Sequence, residues 1–372
     1  RPGTGGPGPG DRRHAGGPAV TPGPPRLARP LIVLSQVRTA SNALTAILGE
    51  EYGNARLFHL TSGDHRDPTA FEGFQRDARA EGHEIYAGHF LFGVHRHLPG
   101  PADYATTVRD PVDRVWSMFL AAGKGLDVPL DFDRWLAGFF EARDGMVKRL
   151  NGFGLIPGRP EVHDAATGRV METVPTVGPD HLARALDNIE AHIPLVLLFG
   201  RQAENLVLLR EHLGCGPLFS LGRQHVNQSG AARHRPTPAQ AQAIEAANPL
   251  DRQLYEACRA RFQARIAARD PAFRDEVRIM TLVNGVLSEP GLDTMDPARL
   301  FQRLMALTGE LFRRGDQATA IEVLHRFSSK HGVGEDFCRG VLKLVRDFGC
   351  VEAVEREERV FRGKFGGMVK GC

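Results

Sequence analysis

Three short segments of the sequence place residues that can bind an anion or accept a proton next to predicted strand ends. The first, LSQVRTASNAL, runs from an apolar stretch through a polar turn into a helical pattern. Backbone N–H groups and the dipole at a helix start favour an anion, and Arg38 adds a planar cationic donor. Thr39 and Ser41 add hydroxyl donors, although a hydroxyl here could equally serve only to cap the helix.

The second segment is YATTVRDPVDRVWSMF, in which Arg109 ends a predicted strand. Pro111 falls in the first turn of the following helix, where its missing N–H costs nothing. Arg109 can pair with a phosphate through two parallel hydrogen bonds, and Ser117, two turns along the helix, can donate another. The alternative is a surface ion pair between Arg109 and Asp110, which would contribute little stability.

The third segment, HEIYAGHF, predicts a short strand that ends just before His89. Imidazole titrates near neutral pH and is the side chain most often used as a general base, although many histidines are purely structural. No GxxxxGK[ST] sequence occurs, which disfavours an ordinary NTPase. His95 and His97 lie nearby without a third ligand at metal-binding spacing, so no metal site is expected.

The apolar runs in PLIVLS and IPLVLLFG predict buried strands, FDRWLAGFFEA predicts a helix, and Gly53 and Gly214 predict helix ends. Predicted strands and helices alternate from Pro30 to about residue 214, which favours an α/β fold with a mainly parallel sheet. In such sheets ligands bind at the carboxyl ends of the strands. Arg38, His89 and Arg109 each follow a predicted strand, so we expect these side chains to converge on one site.

Composition divides the chain into three regions. Residues 1–28 are dominated by Gly and Pro and are expected to form a disordered tail. Residues 29–270 carry the α/β pattern. Residues 271–372 show no strand signal and predict four helices, arranged as two hairpins, that form a cap or a surface for protein contacts.

Charge and cysteine usage exclude several classes of protein. A net charge of +3 at pH 7 gives no sign of nucleic-acid binding. The five cysteines are scattered without a CxxC pair, which argues against a disulfide framework or a zinc site. No run of about 18 apolar residues occurs, so no transmembrane helix is expected.

Taken together, the three segments resemble those of carbohydrate sulfotransferases that use 3′-phosphoadenosine 5′-phosphosulfate (PAPS), the group that includes heparan sulfate 2-O-sulfotransferase. VRTASN is similar to the family's V-P-K-T-A-S-T loop, but it lacks the proline and has Arg38 at the lysine position. RDPVDRVWS matches the 3′-phosphate motif R-D-P-x-x-R-x-x-S, and AGHFLFG resembles the segment that carries the proposed base. The resemblance covers about residues 29 to 269.

The resemblance implies a P-loop-NTPase-like fold, PAPS as co-substrate, no metal, and a saccharide or glycoconjugate as acceptor. His89 would be the general base, and Arg38 would stabilise the leaving oxygen. The residues that it implies in PAPS binding are Arg38, Thr39, Ala40, Ser41 and Asn42 around the 5′-phosphosulfate, with Arg109 and Ser117 at the 3′-phosphate.

Two other functions remain open alongside this one. Arg38 in place of the lysine is compatible with a weak or inactive relative that binds nucleotide or a protein partner, and a P-loop-related kinase is disfavoured by the missing GK[ST]. The acceptor is not readable from the loops expected to select it, near residues 59 to 75 and 155 to 178. The resemblance allows a cytoplasmic location for a complete bacterial protein, or the Golgi lumen for a protein that has lost its N-terminal anchor.

Overall fold

The computed structural model describes most of the chain between residues 26 and 365. The described ranges are 26–39, 41–53, 55–60, 83–126, 128–155, 162–164, 176–218, 235–287, 296–329, 334–347 and 351–365. The predicted disordered tail therefore lies outside the described residues, apart from its last three positions. Most of the two predicted acceptor-selecting loops lies outside them as well.

A five-stranded parallel sheet forms the centre of the fold, as the alternating pattern predicts. The strands are β1 (Leu31–Leu34), β2 (Leu57–Leu60), β3 (Ile85–Gly88), β4 (Asp103–Val108) and β7 (Leu195–Leu198), in the order β2-β3-β1-β4-β7. A separate antiparallel pair joins β5 (Phe153–Leu155) to β6 (Val162–Asp164), so this part of the predicted loop includes a small hairpin. The α/β class with a parallel sheet is confirmed.

The central strands are short apolar runs because both faces of a parallel sheet are covered. LIVL in β1, IYAG in β3 and LVLL in β7 are buried at every position. Strand β2, with the sequence LFHL, was not predicted from the sequence. It pairs only with β3, at the edge of the sheet, so its short apolar signal is weaker than that of the central strands.

Thirteen α-helices are described, and the helices predicted from the sequence are among them. Gly53 and Gly214 follow two of these helices with φ angles of 75° and 61°, in the left-handed region where glycine is favoured. The helices are α1 (Ser41–Tyr52), α2 (Pro111–Ala122), α3 (Phe132–Gly138), α4 (Gly145–Leu150), α5 (Pro179–His192), α6 (Gln202–Leu213), α7 (Pro238–Ala247), α8 (Pro249–Ala267), α9 (Pro271–Leu287), α10 (Pro297–Arg313), α11 (Gln317–Ser329), α12 (Glu335–Asp347) and α13 (Val351–Phe365).

Strands β1 and β4 are neighbours, and the chain leaves them in opposite directions, towards the two edge strands of the sheet. After β1 the chain passes through α1 to β2, whereas after β4 it continues by way of α2 to β7 at the other edge. Such a reversal opens a crevice at the carboxyl ends of the two strands, which is where open α/β sheets bind ligands. The loops that carry Arg38 and Arg109 begin at this crevice.

The C-terminal helices share one hydrophobic cluster with the sheet. Phe262 in α8, Phe273 in α9 and Leu304 in α10 belong to the cluster that also contains β1 and β4. Helix α9, which the sequence did not single out, adds an ion pair between Arg210 and Glu276 at 2.5 Å. None of the described helices has both the length and the apolar character needed to cross a bilayer.

A half-buried histidine, His95, lies against Tyr104 near the start of β4 and is expected to make stability depend on pH. The Tyr104 hydroxyl accepts N–H bonds from Gly93 at 3.2 Å and His95 at 3.1 Å, so its own proton is directed to Nδ1 of His95 at 2.8 Å. That bond requires an unprotonated Nδ1. Burial lowers the pKa of His95, and the neighbouring His192, Arg96 and His97 lower it further.

We expect the free energy of unfolding to decrease as the pH falls from 7.5 to 5, with His95 contributing. A lowered pKa in the folded state means that the unfolded chain binds the proton first. The contribution of neutral His95 to the free energy of unfolding is therefore complete above about pH 6.5, the ordinary pKa of histidine. It is lost as the pH falls through the lower pKa that His95 has in the folded protein. Urea unfolding at several pH values across this range measures the free energy of unfolding, which should change less with pH in His95→Phe than in wild type. An equal pH dependence in the two proteins would show that His95 does not contribute.

Candidate functional site

The loop after β1 is fixed by one hydrogen bond from strand β4 and by one hydrogen bond within the loop. The Thr106 hydroxyl of β4 donates to the carbonyl of Leu34, the last residue of β1, at 2.9 Å. Within the loop, Oγ1 of Thr39 donates to the carbonyl of Gln36 at 2.8 Å. Thr39 is buried, and its hydroxyl proton is used to close the turn. The turn is therefore defined before helix α1 begins.

Arg38 connects this loop to the Arg109 loop and to helix α2. Its φ angle of 66° lies in the left-handed region, which is uncommon for a residue other than glycine. Nη1 of Arg109 donates to the Arg38 carbonyl at 3.0 Å, and Nε of Arg38 donates to the Ser117 hydroxyl at 3.1 Å. The structure thus brings together three residues that the sequence placed in two separate segments.

Arg109 is half-buried and faces several charged neighbours. Burial lowers the pKa of Arg109, Asp113 acts in the opposite direction, and Arg38 lowers the pKa further. A guanidinium nevertheless stays protonated near neutral pH. Nε of Arg109 is buried without a hydrogen-bond partner among the described residues, so the group retains donor capacity.

The carboxylate next to Arg109 in the sequence is committed to other groups. Asp110 accepts hydrogen bonds from the backbone N–H groups of Val112 at 2.9 Å and Asp113 at 3.3 Å, which caps helix α2. It also pairs with Arg252 of α8 at 2.5 Å. Within the part of the chain that the structure describes, neither Arg38 nor Arg109 forms an ion pair with a carboxylate, so the alternative of an Arg109–Asp110 pair is not observed. Asp113 and Asp110 still raise the pKa of Arg109 from a distance, but in the described ranges no carboxylate lies within ion-pair distance of either guanidinium.

His89 lies on the other side of the β1 loop from Arg109. Gly88 pairs with Leu34 across β3 and β1, and its carbonyl accepts the N–H of Ser35 at 3.2 Å. The φ angle of Gly88, 143°, favours glycine at this position. His89, which is half-buried, therefore leaves the sheet at the same carboxyl edge as the two arginines.

The side chain of Gln36 is a further polar group in this region, and it was not among the residues predicted for the site. It is fully buried, and neither its amide oxygen nor its amide nitrogen has a hydrogen-bond partner among the described residues. Buried polar side chains nearly always have partners, so each exception needs an explanation. A glutamine two residues after an apolar strand and two residues before Arg38 was the signal available in the sequence.

A buried ion pair holds helix α2 against helix α8. Nη2 of Arg114 lies 2.9 Å from Oδ2 of Asp251, and both side chains are inaccessible to solvent. Arg114 also donates to the carbonyl of Glu141 at 3.1 Å, and the Glu141 carboxylate pairs with Arg149 at 2.9 Å. Because α2 carries Ser117 and starts two residues after Arg109, this network fixes the orientation of the site.

Helices α4 and α8 also cap each other through two aspartates. The Asp251 carboxylate accepts the N–H groups of Met146 at 3.1 Å and Val147 at 2.9 Å, at the start of α4. In return, the Asp144 carboxylate accepts the N–H groups of Leu250 and Asp251, both at 2.9 Å, at the start of α8. Orphan donors at both helix starts are thereby satisfied within the core.

The remaining predicted site residues belong to the start of helix α1. Ala40 and the side chain of Ser41 lie outside the described residues, and Asn42 is exposed in the first turn. No set of three or more potential metal ligands occurs within the described ranges. No protein-family model matches this chain, and no curated protein matches it at a significant level.

Proposed function

We propose that this chain is a PAPS-dependent O-sulfotransferase that acts on a hydroxyl of a saccharide or glycoconjugate. One observation carries the proposal: at the crevice between β1 and β4, Arg109 donates to the Arg38 carbonyl and the Arg38 side chain donates to the Ser117 hydroxyl. This arrangement offers two cations and a hydroxyl where the connections of the sheet reverse. The strand order β2-β3-β1-β4-β7, with a helix start directly after the β1 loop, supports the finer proposal of a P-loop-NTPase-like fold.

The residues present fit a ligand with two anionic ends. PAPS carries a 5′-phosphosulfate and a 3′-phosphate, and the arginines extend from neighbouring strand ends without a carboxylate partner among the described residues. Nε of Arg109 and the amide of Gln36 supply hydrogen-bonding capacity that the described protein groups do not use. Backbone N–H groups at the start of α1 would cradle the 5′ end.

In the proposed reaction PAPS supplies the sulfuryl group, and the protein positions the reactants and stabilises developing charge. His89 takes the proton of the acceptor hydroxyl as its oxygen bonds to sulfur and the bond from sulfur to the phosphate oxygen breaks. Arg38 neutralises negative charge on the departing phosphate oxygen. Arginine does not protonate that oxygen near neutral pH, which distinguishes it from the lysine that the resemblance leads one to expect.

A second candidate is a relative that binds the nucleotide but transfers slowly or not at all. The contact between Arg38 and Ser117 favours it, because Ser117 is the residue proposed for the 3′-phosphate. A guanidinium held there neutralises the 3′ end of the ligand and leaves the sulfuryl end less stabilised. Both candidates need the same nucleotide site and differ only in catalysis.

Replacing Arg109 tests the site that both candidates share. We expect Arg109→Ala to weaken binding of 3′-phosphoadenosine 5′-phosphate (PAP) by about 10- to 150-fold, since a hydrogen bond to a charged group contributes about 1.5–3 kcal/mol. Arg109→Lys should have an intermediate effect, because it keeps the charge and loses the planar fork. The measurement is calorimetric titration, and Arg201→Ala, at an exposed arginine after β7, is the matched control.

Wild-type protein assayed with labelled PAPS and a panel of glycans then separates the two candidates. Transfer of label to a glycan supports the sulfotransferase, whereas PAP binding without transfer supports the inactive relative. A wild-type protein that does not bind PAP would overturn both candidates.

A further inference from the structure

A large apolar side chain is exposed at the same edge of the sheet as the two arginines. Phe199 follows β7 directly, and 42% of its surface is accessible to solvent. Its N–H donates to the carbonyl of Val108 at 2.9 Å, which extends the pairing of β4 and β7 by one step. Phe199 is therefore adjacent to Arg109, which follows Val108 in the sequence.

The backbone around Phe199 is held rigidly. Asn205 of helix α6 contacts both polar groups of Leu198: its Oδ1 accepts the Leu198 N–H at 3.2 Å, and its Nδ2 donates to the Leu198 carbonyl at 2.8 Å. Gly200 has a φ angle of 87°, a conformation that favours glycine. The ring is thus presented on a tight, well-bonded turn.

The ring also lies against the guanidinium proposed for the 3′-phosphate. The guanidinium carbon of Arg109 is 4.2 Å from the centre of the Phe199 ring, a cation–π contact. In a nucleoside 3′-phosphate the base and the phosphate are attached to the same ribose ring, on carbons separated by a single atom. A phosphate bound to Arg109 therefore brings its base within reach of the exposed part of the ring.

We propose that Phe199 is the stacking platform for the nucleotide base. The inference rests on the proposed PAPS site and adds to it a residue outside the three segments that carry the predicted site residues. Stacking on an aromatic ring is tolerant of base identity, because every base presents a π face. Phe199 accordingly supplies affinity and fixes the rotation of the base, and it does not by itself select adenine.

The test compares two ligands on the full chain by calorimetric titration. One is PAP, and the other is 2-deoxyribose 3,5-bisphosphate, which keeps both phosphates and lacks a base. We expect Phe199→Ala to weaken PAP binding by about 5- to 150-fold, the range for loss of one base–aromatic stack, and to leave the abasic ligand unchanged. Phe199→Trp should retain PAP binding, and Leu126→Ala, at another exposed apolar residue, should alter neither ligand.

Two outcomes would overturn the inference. An equal loss for both ligands in Phe199→Ala would show that the ring acts only by supporting Arg109, and unchanged PAP affinity would show that it does not contact the base. Failure of the proposed function looks different, because wild-type protein would then bind neither ligand. Phe199→Leu guards against misfolding, since it keeps an apolar side chain on the turn. Because it lacks a ring, it should also weaken PAP binding and leave binding of the abasic ligand unchanged.

Discussion

The His89→Ala variant is expected to transfer sulfuryl groups about 10²- to 10⁴-fold more slowly than wild type, the usual contribution of a general base. Its affinity for PAP should not change, because His89 leaves the sheet beside β3, across the β1 loop from Arg109. Single-turnover kinetics with labelled PAPS measure the transfer step, and calorimetry measures the binding.

His97 provides a control variant for the prediction about His89. His97→Ala removes a half-buried imidazole in the 3₁₀ turn at Val94–His97, and its transfer rate should equal that of wild type. If His89→Ala kept the full rate, His89 would not be the base. A drop in PAP affinity equal to the drop in rate would assign His89 to ligand binding instead.

The second large effect is expected on stability, from Arg114→Met. Removing one member of a buried ion pair leaves the other charge without compensation, which costs about 3–5 kcal/mol. Here the remaining charge would be Asp251, which is inaccessible to solvent and also caps helix α4. Urea unfolding followed by circular dichroism measures the loss in the free energy of unfolding.

Arg278→Met is the matched control, because Arg278 forms an exposed pair with Asp275 and such pairs contribute about 0–1 kcal/mol. A loss in Arg114→Met no larger than in the control would show that the buried pair does not hold α2 against α8. If the pair does set the position of α2, a folded Arg114→Met protein should also bind PAP more weakly.

Most of the regular structure was predictable because its signals are local. The runs LIVL, IYAG and LVLL gave the buried strands, and Pro111, Gly53 and Gly214 marked helix ends correctly. Strand β2 was missed because its four residues carry little pattern, and its partner is 28 residues further along the chain. One helix predicted around residues 132 to 142 proved to be α3 followed by a separate short turn of 3₁₀ helix at Phe140–Ala142.

The candidate site was only partly predictable. Arg38, His89 and Arg109 each follow a predicted strand, and the carboxyl ends of parallel strands lie along one edge of the sheet, so their convergence there was an expectation from the sequence. The hydrogen bond from Arg38 to Ser117 spans 79 residues, and no local pattern encodes it. The burial of Gln36 likewise depends on how several elements pack together, and this cannot be read from its neighbours in the sequence.

The sequence by itself determined the class of fold, the ends of its main elements and the kinds of side chain at the carboxyl edge of the sheet. Only the tertiary structure decided which charges remain available there. Asp110 follows Arg109 in the chain, yet Arg252, 142 residues away, takes up its carboxylate, and Arg114 does the same for Asp251. Ion pairs form between groups that are close in space, and folding decides which groups those are. The availability of the Arg38 and Arg109 guanidinium groups at the crevice is therefore a property of the folded protein.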